Sequence, residues 1–272
     1  MFLIFRPFVW KTVFLIAFVP TFLLGQTSPT LEKIKKTKTL TVSVNEFYPG
    51  LDVELANEYA KFLDVDLKII PLRTFDQHAR MLEKGDTQVA MAGISSSINR
   101  FRDVYFTDPY LISTPAALVN RTALPPEPEG QIVTVQLFRN LNDLTNITGI
   151  SYSVLANSSN HQFLRDTFPK AQVFSYFTNE AALSELKKNN VNAFVADSFY
   201  IQALLQKDSS LRANYLPILG VVQEDHISMA VGKRDIEFLY HLNFFIKELK
   251  RTGKIQQLIN KYFKSNKWVK KE

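Results

Sequence analysis

Hydrophobic and polar positions fall into short alternating runs separated by amphipathic stretches. Residues 40–44 read Leu, Thr, Val, Ser, Val and predict a first strand. After a loop at 45–50, Leu51, Leu55, Tyr59 and Phe62 recur on one helical face, and Asp52 and Glu54 suit the positive amino end of that helix. Residues 66–72 predict a second strand, and Asp76 can cap a short helix that Gly85 closes. Val89, Ala90, Met91 and Ala92 suit a strand buried on both faces. Gly93 is expected to stop it, where the backbone must turn or be approached closely. Strand, helix, strand, helix, strand in this order implies right-handed crossovers and a parallel sheet.

Residues 116–119 are expected to leave this first unit as a strand, with Asn120 and Arg121 as a hinge. Pro125, Pro126 and Pro128 alternate with Glu127 and Glu129, so the insertion at 122–130 cannot be regular helix and should lie exposed. The alternation then restarts, with strands at 150–155, 172–176 and 193–196 and helices at 159–168 and 180–188. Near 222–225 the chain is expected to cross back. Residues 226–231 would be a strand of the first unit, and 236–250 and 254–263 helices on it, separated by Gly253. The fold class is α/β, two lobes that each hold a mostly parallel sheet flanked by helices. Two crossings form a hinge that can close a cleft. Lobe 1 is assigned to 37–119 plus 225–265, lobe 2 to 120–224, and a basic tail to 266–272.

Composition narrows the classes of function. The chain has 272 residues, 46% of them hydrophobic, enough for two lobes with real cores. It has no cysteine, which removes disulfides, thiolate metal sites and cysteine nucleophiles. The apolar run at 12–24, preceded by Arg6 and Lys11, is too short to span a bilayer comfortably and reads as a secretory signal peptide over 1–25. An uncleaved anchor is the competing reading. Gln26 stands where a lipid-bearing cysteine would be, so a lipoprotein is excluded. The net charge of +6 owes two to the leader, and the lysines crowd the two ends of the chain, which is weak evidence for nucleic acid. His78, His161, His226 and His241 lack paired ligand spacing, so no metal is expected. Walker loops, dinucleotide glycine fingerprints and G-x-S-x-G are all absent, so no cofactor is expected either.

The stretch QVAMAGISSSINR, residues 88–100, with VYFTDPY, residues 104–110, concentrates the candidate chemistry. Ser95, Ser96 and Ser97 follow the carboxyl end of a candidate parallel strand, where open α/β sheets place ligands, and Arg100 can pair a carboxylate through two hydrogen bonds. Gly93, Ser95, Ser97, Arg100, Phe106, Thr107, Pro109 and Tyr110 together resemble the corresponding segment of the family 3 periplasmic solute-binding proteins, which serve amino-acid importers. GLDVELANEYAKFL at 50–63, VADS at 195–198 and FFIKELKRTGKIQQLINKYF at 244–263 extend the likeness over nearly all of the chain after about residue 31. The same signals are similar to the non-catalytic amino-terminal domain of the F-type membrane-bound lytic transglycosylases.

The resemblance implies the type II periplasmic binding protein fold, an extracytoplasmic location, a monomer, and a permease of an ABC importer as partner. It implies that Arg100 grips a ligand's α-carboxylate, whose alternative is a surface pair with Asp103. An acidic residue at Asp197 would bind the α-ammonium, or cap the following helix. Asn157, Ser158 and Ser159 stand where the family has Gly-Thr and a hydroxyl, so Ser158 becomes a candidate for the carboxylate or a plain helix cap. Phe47 and Tyr48 fall where an aromatic wall is common, and Phe75 and Tyr110 are further wall candidates. The function expected is capture of an amino acid or short peptide by lobe closure. The alternatives are a cell-wall peptide sensor and, on the same fold, a cyclohexadienyl dehydratase. No catalytic residue is assigned, because no acid and base pair is evident.

Overall fold

The computed structural model describes residues 28–46, 50–126 and 138–263. The leader, Phe47 and Tyr48, residues 127–130 of the Pro/Glu-rich insertion and the basic tail lie outside the described residues. Among the described residues eleven strands build two sheets. In chain order they are β1 (Thr39–Asn45), β2 (Asp66–Leu72), β3 (Val89–Ser95), β4 (Tyr105–Phe106), β5 (Leu111–Ser113), β6 (Pro115–Asn120), β7 (Ser151–Leu155), β8 (Gln172–Tyr176), β9 (Ala193–Asp197), β10 (Tyr215–Ile218) and β11 (Asp225–Val231).

The first sheet runs β2-β1-β3-β11-β4, with β5 also on β11; the second runs β10-β6-β9-β7-β8. Each has three parallel strands, β2-β1-β3 and β8-β7-β9, extended by antiparallel strands where the chain returns. Helices cover both faces of both sheets. In lobe 1 one face packs Leu40, Val42, Met91 and Met229 against the helices Gly50–Leu63, Ile236–Arg251 and Lys254–Phe263. The other face holds Ala90, Ala92 and Ala230 under Leu82 of the helix Phe75–Lys84. In lobe 2 Tyr152, Val154 and Phe163 fill one side, and Leu118, Phe194 and Ile201 the other. Burial on both faces explains why β3 and β9, inside the two sheets, read as nearly unbroken apolar runs.

Several expectations are corrected. Residues 115–120 belong to the second sheet, paired antiparallel with β9 and β10. The chain therefore leaves lobe 1 between Ser113 and Pro115, ahead of the expected hinge at Asn120 and Arg121; Ala116 to Val119 are wholly buried and suit a central strand of either lobe equally. Gly93 does not end β3, which continues to Ser95. It instead takes φ +59° beside a register shift against β11, a bulge that needs no Cβ. Thr74, rather than Asp76, caps the helix Phe75–Lys84, in a capping box with Gln77. Phe62 is 58% exposed; at the end of its helix it stacks on the edge of the core through Tyr59 instead of entering it.

The two crossings lie side by side. Ser113 and Asp225 are register partners at the ends of β5 and β11. Thr114 sits between them and the second lobe, its carbonyl accepting from Ser198 N (2.9 Å) and its hydroxyl from Val222 N (3.3 Å). The last helix of lobe 1 also reaches lobe 2, where Phe263 meets Phe199 at 5.0 Å between ring centroids.

Candidate ligand-binding cleft

Arg100 lies on a single helical turn, Ile98–Phe101, capped by Ser97, whose hydroxyl accepts from Arg100 N. This turn follows β3 directly and aims the guanidinium back across the strand end. One amino group donates to the Ser95 carbonyl (3.0 Å) and the other crosses to lobe 2, where it donates to the Asn157 carbonyl (3.3 Å). The Phe75 ring lies 4.9 Å from the guanidinium carbon. Burial pulls the Arg100 pKa down from its ordinary value, while the charges of Asp225 and Asp76 oppose that shift. The guanidinium thus turns into the cleft and away from the surface pair with Asp103.

Asp197 ends β9 on the opposite lobe. It stands at the N-cap position of the helix Ser198–Lys207 but makes no capping hydrogen bond, so its carboxylate is left for the cleft. Asn160 donates to it at 3.2 Å, and Ser113 hydrogen-bonds it as well. Burial foremost, and then the neighbouring charge of Asp225, raise the Asp197 pKa from 3.8 to about 6.

Ser158 is the N-cap of the helix Ser159–Thr167. Its hydroxyl accepts from His161 N and donates to the Leu155 carbonyl at 2.7 Å, so both of its hydrogen-bonding roles are taken by its own turn. Asn157 takes the left-handed conformation, φ +56°, that the missing glycine of the turn would otherwise supply. The hydroxyl that faces across the cleft is that of Ser159. It donates to Asp225 Oδ2 at 2.5 Å, and Ser95 donates to the same oxygen at 2.8 Å and approaches Ser159 at 3.2 Å. One residue from each lobe therefore meets on a carboxylate carried by a hinge strand.

The other candidates divide. Phe75 is at the site, packed on Arg100. Gly93 supports from behind, because its backbone N–H bonds Asp52, a buried carboxylate that also accepts from Tyr110 Oη at 2.6 Å. Burial raises Asp52 to about 6. Tyr110 is consequently a core residue, only 3% exposed, and not a cleft wall. Phe47 and Tyr48 lie outside the described residues. Sequence reasoning missed Asp225 and Asn160, and placed Ser159 in the turn while singling out its neighbour Ser158. Asp225 was legible only as a place where the chain crosses between lobes.

A separate cavity of about 570 Å³ opens on the outer side of lobe 1, lined by residues such as Lys33, Arg80, Thr87 and Arg234. Its lining includes Asp76, whose charge acts on Arg100, but not Arg100, Ser95, Ser159, Asp197 or Asp225. Among the described residues no cluster of His, Asp or Glu could hold a metal ion, and no helix is long and apolar enough to cross a membrane.

Comparison with known proteins gives this geometry a context. A probable histidine-binding protein of Neisseria gonorrhoeae is 24% identical over 222 residues, 79% of this chain and 74% of that protein. A membrane-bound lytic murein transglycosylase F of Shewanella denitrificans is 25% identical over 225 residues, which make up 79% of this chain but only 40% of the enzyme. The matched relatives thus include both binding proteins and enzymes. Among solved structures, a putative binding component of an ABC transporter from Wolinella succinogenes, complexed with lysine, superposes with a TM-score of 0.74 over 86% of this chain and 99% of that one. At 22% identity this is a likeness of fold. The family profile of the bacterial extracellular solute-binding proteins, family 3, matches residues 33–265, and with two lobes, two hinge crossings and a cleft between them the chain belongs to that family.

Proposed function

We propose that this protein is an extracytoplasmic solute-binding protein that captures an amino acid or a short peptide between its lobes and delivers it to the permease of an ABC importer. The observation that carries the reading is the placement of Arg100 and Asp197 on opposite lobes, both directed at the same cleft. A zwitterion offers each the partner it lacks. Arg100 now spends its fork on two backbone carbonyls, and a ligand carboxylate would replace neutral acceptors with a charged, bidentate one. An ammonium beside Asp197 would offset the cost of holding that carboxylate out of water. Closure strengthens both pairs by removing solvent. The Arg100 to Asn157 and Ser95 to Ser159 contacts have to part to admit the ligand, so binding energy is coupled to the hinge. Export by the leader, residence outside the cytoplasm and action as a monomer belong to the same proposal.

The test is titration calorimetry on the purified protein with a panel of amino acids. Saturable heat is expected for some of them, and Arg100→Ala should weaken it by about 2 kcal/mol or more, the usual cost of removing one member of a buried charged pair. Absence of heat across the panel, or an unchanged affinity in the variant, overturns the proposal. The second reading is a cell-wall peptide sensor, favoured by the match to the transglycosylase. Muropeptides titrated beside free amino acids separate the two. A dehydratase has less in its favour, because Asp197 and Asp225 are the only carboxylates placed in the described cleft and each already accepts side-chain hydrogen bonds; turnover of prephenate or arogenate would reveal one.

A further inference from the structure

The cleft carries one carboxylate more than a simple zwitterion can use. Asp225 is the first residue of β11, at the second crossing, and is 8% exposed. Its Oδ2 accepts both Ser95 and Ser159. Asp197 lies close by, because consecutive residues of one helical turn hold the pair: Ser159 donates to Asp225 and Asn160 to Asp197. Ser113 links them again, as register partner of Asp225 and hydrogen-bond partner of Asp197. Asn160 Oδ1, on a residue 4% exposed, is buried without a hydrogen-bond partner. Two carboxylates and an unused amide oxygen thus converge from three segments, and all of them accept hydrogen bonds. What is missing is a donor with positive charge.

Charge counting points the same way. Among the described residues Arg100 is the cation placed against this group, and the charges of Asp225 and of the exposed Asp76 act on it. Arg100, Asp197 and Asp225 sum to a single negative charge. A neutral zwitterion leaves that sum unchanged inside a closed, poorly solvated cleft, whereas a ligand of charge +1 cancels it.

We infer that Asp225 is a specificity residue and that the cleft selects an amino acid whose side chain carries a second positive charge. The inference rests on the binding function proposed above and names its ligand class. Asp197 with Asn160 takes one cationic group, Asp225 takes the other, and the carboxylate goes to Arg100. Ser95 and Ser159 hold Asp225 in place, one from each lobe.

The test is calorimetry with L-lysine, L-arginine, L-glutamine and L-glutamate on the wild-type protein and on Asp225→Asn, with circular dichroism melts to verify that the variant folds. The wild type is expected to bind lysine or arginine at least about tenfold tighter than glutamine, and the variant to lose about tenfold or more of that preference, read as the ratio of the two affinities so that any change common to both ligands cancels. Wild-type affinity for glutamine equal to that for lysine and arginine overturns the inference and leaves the binding function standing; this comparison needs no variant. Tighter glutamine binding in Asp225→Asn with no cation preference in the wild type also overturns it, and identifies Asp225 as an internal carboxylate that competes with the ligand's own. If none of the four gives heat in the wild type, but another amino acid does, the inference alone falls. If no amino acid binds at all, the proposed function falls with it.

Discussion

Replacing Asp197 by Asn should make the empty protein more stable at neutral pH while weakening its grip on an ammonium. The reason lies in the environment of the carboxylate, which is removed from water and set beside the charge of Asp225, so its pKa rises from 3.8 to about 6. A carboxyl group with a raised folded-state pKa contributes stability that is fully present below the unfolded value and lost as pH rises through the folded one. For Asp197 the window therefore runs from about 4 to about 6. At about 1.36 kcal/mol per pH unit the gap corresponds to roughly 3 kcal/mol, present at pH 3.8 and gone above pH 7. Asn copies the uncharged group in shape and still offers one acceptor to Asn160. The variant should gain up to about 3 kcal/mol at pH 7.5, with the difference shrinking towards zero near pH 4. Urea unfolding of both proteins at several pH values measures this directly, given an unchanged slope with denaturant. A variant less stable than wild type at pH 7.5, or an advantage that does not vary with pH, would refute the argument, because desolvation of the charged form would then not be what the cleft costs.

Other expectations follow from single positions. Gly220 brings the returning chain against Arg139, to whose carbonyl it donates at 2.8 Å; a Cβ there would stand 2.3 Å from that oxygen, so Gly220→Ala should destabilise by about 2 kcal/mol or more in thermal or urea unfolding. His78 is buried against the Ser43 hydroxyl (2.9 Å), and burial lowers its pKa from 6.5 to about 4. The stability it confers as a neutral ring is present above pH 6.5 and lost as pH falls towards 4, about 3 kcal/mol in full, so the advantage of wild type over His78→Gln in urea should narrow by that amount between pH 7 and pH 4.

The alternation of apolar positions carried most of the architecture, since β2, β8 and the helix Lys254–Phe263 stand where the pattern placed them. What escaped were elements too short or too evenly apolar to declare a partner. β5 and β10 have three and four residues, and β6 is apolar enough for either sheet, so its lobe is decided by pairing with β9, a contact some 80 residues away in the chain that no local period records. The cleft divided along the same line. Arg100 was marked by a motif and Asp197 by the end of a strand, both local signals. Ser158 stayed open between ligand contact and helix cap because a hydroxyl at a helix start has two employments; here its own turn supplies both partners while the next residue points across.

Asp225 left no mark because nothing about one acid at a strand start distinguishes a solvated carboxylate from a buried one. Its role comes from three sequence separations at once: Ser95 is 130 residues distant, Ser159 is 66, and Ser113 is its partner in the neighbouring strand. β11 belongs to the first sheet, but its first residue, at the second crossing, stands within reach of the second lobe. Asp225 accepts Ser95 from its own lobe and Ser159 from the other, so under the proposed lobe movement it is the Ser159 bond that would part. If the lobes close on a ligand as proposed, a charge at that point ties the electrostatics of the cleft to its closure, and neutralising Asp225 would change the balance between open and closed forms. A cation bound in the cleft and the angle between the lobes would then be two readings of one equilibrium.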